Sequence, residues 1–316
     1  MLNRDLTLKL GLIAGTAVLA LVLMICHGMR FDILSAWKTA ATLLLLLPFA
    51  LIFEARRIHT FANLLTGFLC MVGFNLFLAI LTYAGTPLNA PSADGWLMRA
   101  DAALGIHLPS VVEWTRAHAE IRWLLDKAYA SVLPSTLIAI IVLGFDRDVR
   151  RLREFVLHFM IAGLVTTLVY FMCPAEGPFA AYGYELRTDQ ARFLTHFHAL
   201  RAGQFSVVSM SNLEGLITFP SFHTTWALLL AYAFRHYRLL FAPMLLLNLA
   251  VVVSTMTTGW HYGTDVIGGI VTAGIAILTA KAAAGVLTDP ADDRETVPSQ
   301  AGLPTPKSAQ PAESAG

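Results

Sequence analysis

The sequence predicts an all-α, polytopic membrane protein, a transmembrane helical bundle of about eight spans. Three observations predict it. Of the 316 residues, 56% are hydrophobic and only 14% are charged, where an ordinary soluble domain carries about 25% charged residues. The mean hydropathy is +0.64. Apolar runs also recur at lengths near the roughly 17–25 residues that cross about 30 Å of hydrocarbon as a helix.

Eight such runs follow one another, at about 8–26, 37–53, 60–84, 125–144, 152–172, 219–234, 239–258 and 262–284. The first stands behind Arg4 and Lys9 and is followed by no small-residue cleavage site, so it reads as a retained helix rather than a cleaved signal. Eight spans put both termini on one side. The short connections holding Arg56-Arg57, Arg147 to Arg153, and Arg235 with Arg238 are basic, and short cytoplasmic loops collect Lys and Arg. These loops and both termini are therefore expected in the cytoplasm. The long connections, about 85–124 and 173–218, then face the periplasm or exterior of what is expected to be a bacterial inner membrane.

The first long connection opens with D-G-W-L-M-R-A-D-A-A-L-G (Asp94 to Gly105), followed by Val111, Val112 and Trp114. It reads as a short amphipathic helix on the membrane surface, with Trp96, Trp114 and Trp123 in the aromatic belt. Residues from about 288 onward are rich in Pro, Ser, Ala and charge and read as a disordered tail. Lys+Arg (22) and Asp+Glu (21) nearly cancel, which leaves no basic field to hold a nucleic acid. Three cysteines without a CxxC pair argue against both a disulfide scaffold and a thiolate metal site. No internal repeat supports an inverted-repeat transporter.

Two segments carry chemistry: F-P-S-F-H-T-T-W (Phe219 to Trp226) at the start of the sixth span, and S-T-M-T-T-G-W-H-Y-G-T-D (Ser254 to Asp265) between the seventh and eighth. In this topology both lie at the outer face. Pro220 and Ser221 read as a helix start, whose free N–H groups favour an anion, and His223 follows within the first turn. His261 and Asp265 are spaced i, i+4, which stacks them on one helical face. A carboxylate that accepts from one ring nitrogen fixes the tautomer and frees the other nitrogen to attack. An acid about one turn inside a span is costly unless paired, and marks a functional site by default. His59, His107, His118, His158 and His236 read as structural histidines. A metal site formed by His223, His261 and Asp265, or a transporter with buried ionisable groups, stands as an alternative from another class.

The P-S-F-H and H-Y-G-T-D pair resembles the type 2 phosphatidic acid phosphatase superfamily, most closely its branch of fungal inositol phosphorylceramide synthase and sphingomyelin synthases. The Asp94–Gly105 stretch and C-P-A-E-G-P-F (Cys173 to Phe179) are also similar to that branch, so the likeness covers roughly residues 90–280. The resemblance implies a six-helix phosphatase-like core and divides the chain into N-terminal membrane helices (1–86), a catalytic membrane domain (87–287) and a cytoplasmic tail (288–316). It implies that His261 is a nucleophile forming a phosphohistidine, that Asp265 orients it, and that His223 protonates the leaving oxygen. No metal or cofactor is implied; the partners are a phospholipid donor and a lipid acceptor.

Two departures bear on the reaction. The phosphatases' first motif, a Lys six residues ahead of Arg-Pro, is absent, and Ser254 is followed by Thr255 where their third motif has Arg. Charge-assisted bonds are the strong ones, so a phosphodiester, with less charge than a monoester, suits this site better. This favours headgroup transfer, as in an inositolphosphotransferase of sphingolipid metabolism, over a lipid phosphate or polyprenyl diphosphate phosphatase. Substitute cations are expected from Arg187, Arg192 and Arg201, near His196 and His198. Ser221, Pro220, Ser254 and Tyr262 complete the expected phosphate-binding set. Glu176 and Tyr182 lie near the motif and read first as packing residues, with a bond to a polyol as the alternative; Trp226, Phe222 and Trp260 read first as belt or core, with a lipid-tail groove as the alternative.

Overall fold

The computed structural model describes residues 4–287, and the expected tail at 288–316 lies outside the described residues. The order of helices is α1 (Arg4–Cys26), α2 (Trp37–Ala55), α3 (His59–Gly85), α4 (Asp94–Ala103), α5 (Leu108–Ala117), α6 (Ala119–Ala130), α7 (Val132–Gly144), α8 (Arg150–Met172), α9 (Pro178–Ala181), α10 (Thr188–Arg201), α11 (Phe222–Ala233), α12 (Arg238–Thr257) and α13 (Gly263–Leu287). The only strands among the described residues are two-residue pieces, β1 (Arg30–Phe31) and β2 (Val207–Val208), paired in parallel. The all-α bundle expected from composition is the one observed.

Among the described residues six helical segments are long and apolar enough to span a membrane, α1, Ile33–Ala55, His59–Leu88, α8, α12 and Gly263–Ala283 within α13, and the bent pair α6–α7 makes a seventh when taken as one broken span. The chain is an integral membrane protein. Two of the eight expected spans differ. The run at 125–144 is broken into α6 and α7, bent by 46°, because Pro134 has no N–H to return to the carbonyl of Ala130 and α6 closes instead on the Ser131 N–H and hydroxyl, both bonded to Ala128 O. The run at 219–234 is a helix of only 12 residues, about 18 Å long at 1.5 Å per residue, too short to cross alone.

Its shortness reflects where it starts. Phe222 packs against Phe159 at 5.5 Å between ring centroids, and Phe159 lies in the first half of α8, about 20 Å below its Met172 end. The start of α11 is thus set deep in the bundle, beneath the tops of α3 and α8, which continue upward and meet through Tyr170 and Thr86 at 2.8 Å.

The two ends of the bundle differ in charge. At one end Arg151 pairs with Asp146, Arg235 with Glu154, and Arg153 approaches Asp5, while Tyr237 donates to Asp146. At the other, the connections after α1, α3 and α8 interlock: β1 pairs with β2, Arg201 donates to Ala90 O, and Asp94 accepts from the N–H groups of Glu176 and Gly177.

Candidate active site

Ser221 is the N-cap of α11 and accepts from Thr224 N at 3.3 Å, while its own N–H donates to Asp265 O at 3.1 Å. Pro220 therefore stands before the cap rather than in the first helical turn, a correction to its expected place. The cap spends the Thr224 N–H, leaving those of Phe222 and His223 facing outward. Close contact with α13 depends on Gly269: a Cβ there would lie 2.6 Å from Ser221 O and 2.8 Å from Thr224 Cβ.

His261 sits in the turn between α12 and α13, with its N–H bonded to Thr255 O. Its Nδ1 is 2.8 Å from the Thr218 carbonyl oxygen and 3.4 Å from Asp265 Oδ2. Both neighbours only accept, so Nδ1 carries the proton and Nε2 keeps its lone pair. Sequence reasoning gave this orienting role to Asp265 alone; the shorter bond goes to Thr218. Asp265 Oδ2 accepts from Tyr262 N at 2.8 Å, and its Oδ1 has no hydrogen-bond partner among the described residues. The pair is shielded from water, with His261 2% and Asp265 0% exposed.

His223 faces His261 with ring centroids 6.2 Å apart and the rings inclined at 56°. On its other side the His223 ring stacks on Tyr129 at 4.3 Å and 23°, and Tyr129 Oη is 3.3 Å from His223 Nδ1. Tyr129 reaches it from the last turn of α6, just before the bend. As an imidazolium His223 donates from Nδ1 to the Tyr129 hydroxyl oxygen and has an Nε2 proton to give; once that proton is given, Nδ1–H stays on Tyr129 and Nε2 can accept. Among the described residues no group of His, Cys, Asp or Glu is arranged as a metal-ligand set.

The remaining expected site residues are engaged elsewhere. Ser254 donates back to Val251 O at 2.6 Å within its own helix. Tyr262 is fully buried and donates to Asp94 Oδ1 at 2.9 Å. Arg192 pairs with Glu214 at 2.6 Å on the surface, and Arg201 is tied to Ala90 O. Glu176 pairs with His198, and Trp260 is packed between Phe179 and Phe193. Arg187 is the arginine of the three that lines a polar cleft beside the site, together with Arg116, Arg122, Asp126, Thr257 and Thr258. Burial opposes the charge on Arg187, yet the bond to Asp126 and the fields of Asp126 and Asp189 raise its pKa above the ordinary arginine value.

Tyr129, Thr218, Asp94 and Asp101 escaped the sequence reading. For Thr218, a carbonyl contact across 43 residues, no signal existed. For the two acids one did: Asp94 and Asp101 are spaced i, i+7, two turns apart on one face of α4. Trp96 (38%), Trp114 (52%) and Trp123 (63%) are exposed, as an interfacial segment requires, but the acidic face of α4 turns inward. Asp101 is fully buried and accepts from Gly263 N, Thr264 N and the Thr264 hydroxyl at 2.6 to 2.9 Å.

A multi-span helical bundle with two facing histidines, one oriented through a carbonyl and a carboxylate, defines a membrane enzyme of the phosphatase or phosphotransferase kind. A profile of the PAP2 superfamily matches residues 95–279, and the chain belongs to that superfamily. No curated protein and no solved structure matches the chain.

Proposed function

We infer that the protein is a phosphotransferase that moves a phosphoryl headgroup, with phosphoinositol as the favoured group, from a phospholipid donor to a lipid hydroxyl. The observation that carries this is the pair of facing imidazoles, with the Nδ1 proton of His261 held by Thr218 O and Asp265. His261 Nε2 attacks phosphorus. The bond to the diacylglycerol oxygen breaks, and its electron pair takes the proton from His223 Nε2. An acceptor hydroxyl then attacks the phosphohistidine and returns its proton to His223, while the N–P electron pair goes back to His261. Ser221 O–H and the N–H groups at the start of α11 hold the non-bridging oxygens. No metal or cofactor enters these steps.

A diester donor fits the charges near the site. No arginine or lysine is hydrogen-bonded to either histidine among the described residues, and the cationic groups of Arg116, Arg122 and Arg187 stand one cleft away, suited to a polar headgroup. The basic ends of the helices lie opposite the histidines, which by the positive-inside rule favours an active site on the periplasmic or outer face.

The test is lipid mass spectrometry on purified wild type and His261→Ala given phosphatidylinositol and ceramide, with and without EDTA. A new phosphoinositol-bearing lipid, absent in the variant and indifferent to EDTA, is expected. Release of inorganic phosphate from a lipid monophosphate or polyprenyl diphosphate, with no new phospholipid, would overturn transfer in favour of hydrolysis.

A further inference from the structure

A largely apolar cavity of about 400 Å³ lies between α2, α3, α7 and Trp226 of α11, with Met210 also in its wall. Its walls come from α3 between Phe68 and Leu76, from α7 at Leu133, Leu137 and Ile140, and from Trp226 of α11. The volume falls within the range of small-ligand pockets and, at roughly 30 Å³ per water-sized group, holds about a dozen such groups. The wall from Phe68 to Leu76 runs about 12 Å along the helix, so the space is elongated along the bundle.

Two features decide what fills it. First, the cavity shares its framework with the candidate active site. Trp226 stands at i+3 from His223, on the same side of α11, and the α6–α7 bend that puts Tyr129 against His223 puts Leu133 at the cavity. Second, the cavity borders the bilayer. Leu133 and Leu137 are 63% and 44% exposed on a membrane helix, and α2, which supplies Thr39 to the wall, buries only Ala50 of its own length. The polar side chains in the wall are Thr39, Asn75 and Thr136; the Asn75 amide and the Thr136 hydroxyl donate back within their own helices, to Met71 O and Val132 O, and the medium outside is hydrocarbon.

We propose that this cavity binds one hydrocarbon chain of the donor lipid, entering sideways from the bilayer between α2 and α7. The assignment to the donor rests on the proposed headgroup transfer, in which the oxygen bearing the donor's chains leaves at His223, on the side of Trp226.

The experiment uses phosphatidylinositol with a photoactivatable diazirine in one acyl chain, presented to the full-length protein in lipid nanodiscs and mapped by peptide mass spectrometry. Label is expected on Trp226 and on the Leu133–Ile140 turns of α7. It should fall in Val72→Phe and Leu137→Trp, which fill the cavity without touching the histidines, provided their melting stays cooperative near the wild-type temperature. In those variants KM for the long-chain donor should rise about tenfold, the equivalent of losing roughly two methylenes of burial, while turnover of a dibutanoyl donor is unchanged. Label spread evenly over lipid-facing positions such as Leu44 and Leu246, and indifferent to the filling substitutions, would overturn the proposal. Label concentrated in the cavity of a protein that converts no donor would leave the chain site standing and remove the transfer reading instead.

Discussion

Asp101 holds the helix that begins two residues after His261. Its two carboxylate oxygens take the N–H groups of Gly263 and Thr264 at 2.9 and 2.7 Å, and Thr264 Oγ1 donates to the same group at 2.6 Å. Three donors converge on one buried anion at a helix N-terminus, where negative charge is favoured. An amide there would oppose an N–H with an NH2. Asp101→Asn should therefore cost about 1–3 kcal/mol, read as a lower thermal midpoint in detergent, with activity falling as His261 loses its anchor. An unchanged midpoint would show that α4 is only a surface helix.

The approach of α11 to α13 predicts a second effect. Gly269→Ala places a methyl group 2.6 Å from a backbone oxygen at Ser221, so α11 must shift, at about 1–3 kcal/mol, and carry His223 away from His261. Gly274 has open space around the same position, and Gly274→Ala should melt at or above the wild-type temperature. Parallel melting curves and turnover of the two variants check the contrast.

Tyr129 offers His223 both a stacked ring and a hydroxyl. Tyr129→Phe keeps the ring and loses one hydrogen bond, about 0.5–1.5 kcal/mol, so kcat should fall about threefold to tenfold with KM unchanged. Tyr129→Ala should cost more because the imidazole loses its support. Equal, wild-type kcat in both variants would remove Tyr129 from the site.

Of Arg187, Arg192 and Arg201, it is Arg187 that lines the cleft beside the histidines, in company with Arg116 and Arg122. Arg187→Ala should raise KM for an anionic headgroup, by an amount in the range of about 1.5–3 kcal/mol set for charged hydrogen bonds. Arg192→Ala, which removes a pair with 58% of the arginine side chain exposed, should leave both KM and the melting point nearly unchanged. Steady-state kinetics on a phosphodiester lipid separate the two.

Much of this architecture is legible in the sequence, and the limits have physical causes. Hydropathy marks the long helices because each must fill the bilayer with apolar side chains, but it cannot tell a 12-residue helix flanked by apolar turns from a full span, so α11 reads too long. Pro134 does signal the break at Ser131, yet inside an apolar run its effect is masked by its neighbours. The i, i+4 spacing brings Asp265 near His261, while the Thr218 carbonyl is backbone, carries no side-chain signature, and is set by tertiary structure. Tyr129 reaches His223 only because the α6–α7 bend turns it inward. Charge in an outer loop does not say which arginine faces the cleft, since each can find a surface carboxylate, as Arg192 does with Glu214.

The most direct measurement is to trap the intermediate. Purified protein is mixed with a donor lipid carrying a labelled phosphoryl group, quenched within the first turnover without acid, and digested for mass spectrometry. A phosphoryl headgroup on Nε2 of His261 is predicted, stable to base and labile to acid, absent in His261→Ala, and reduced in formation rate by about 10²–10⁴-fold in His223→Ala. Turnover that continues in His261→Ala, or label found on another residue, would contradict the account.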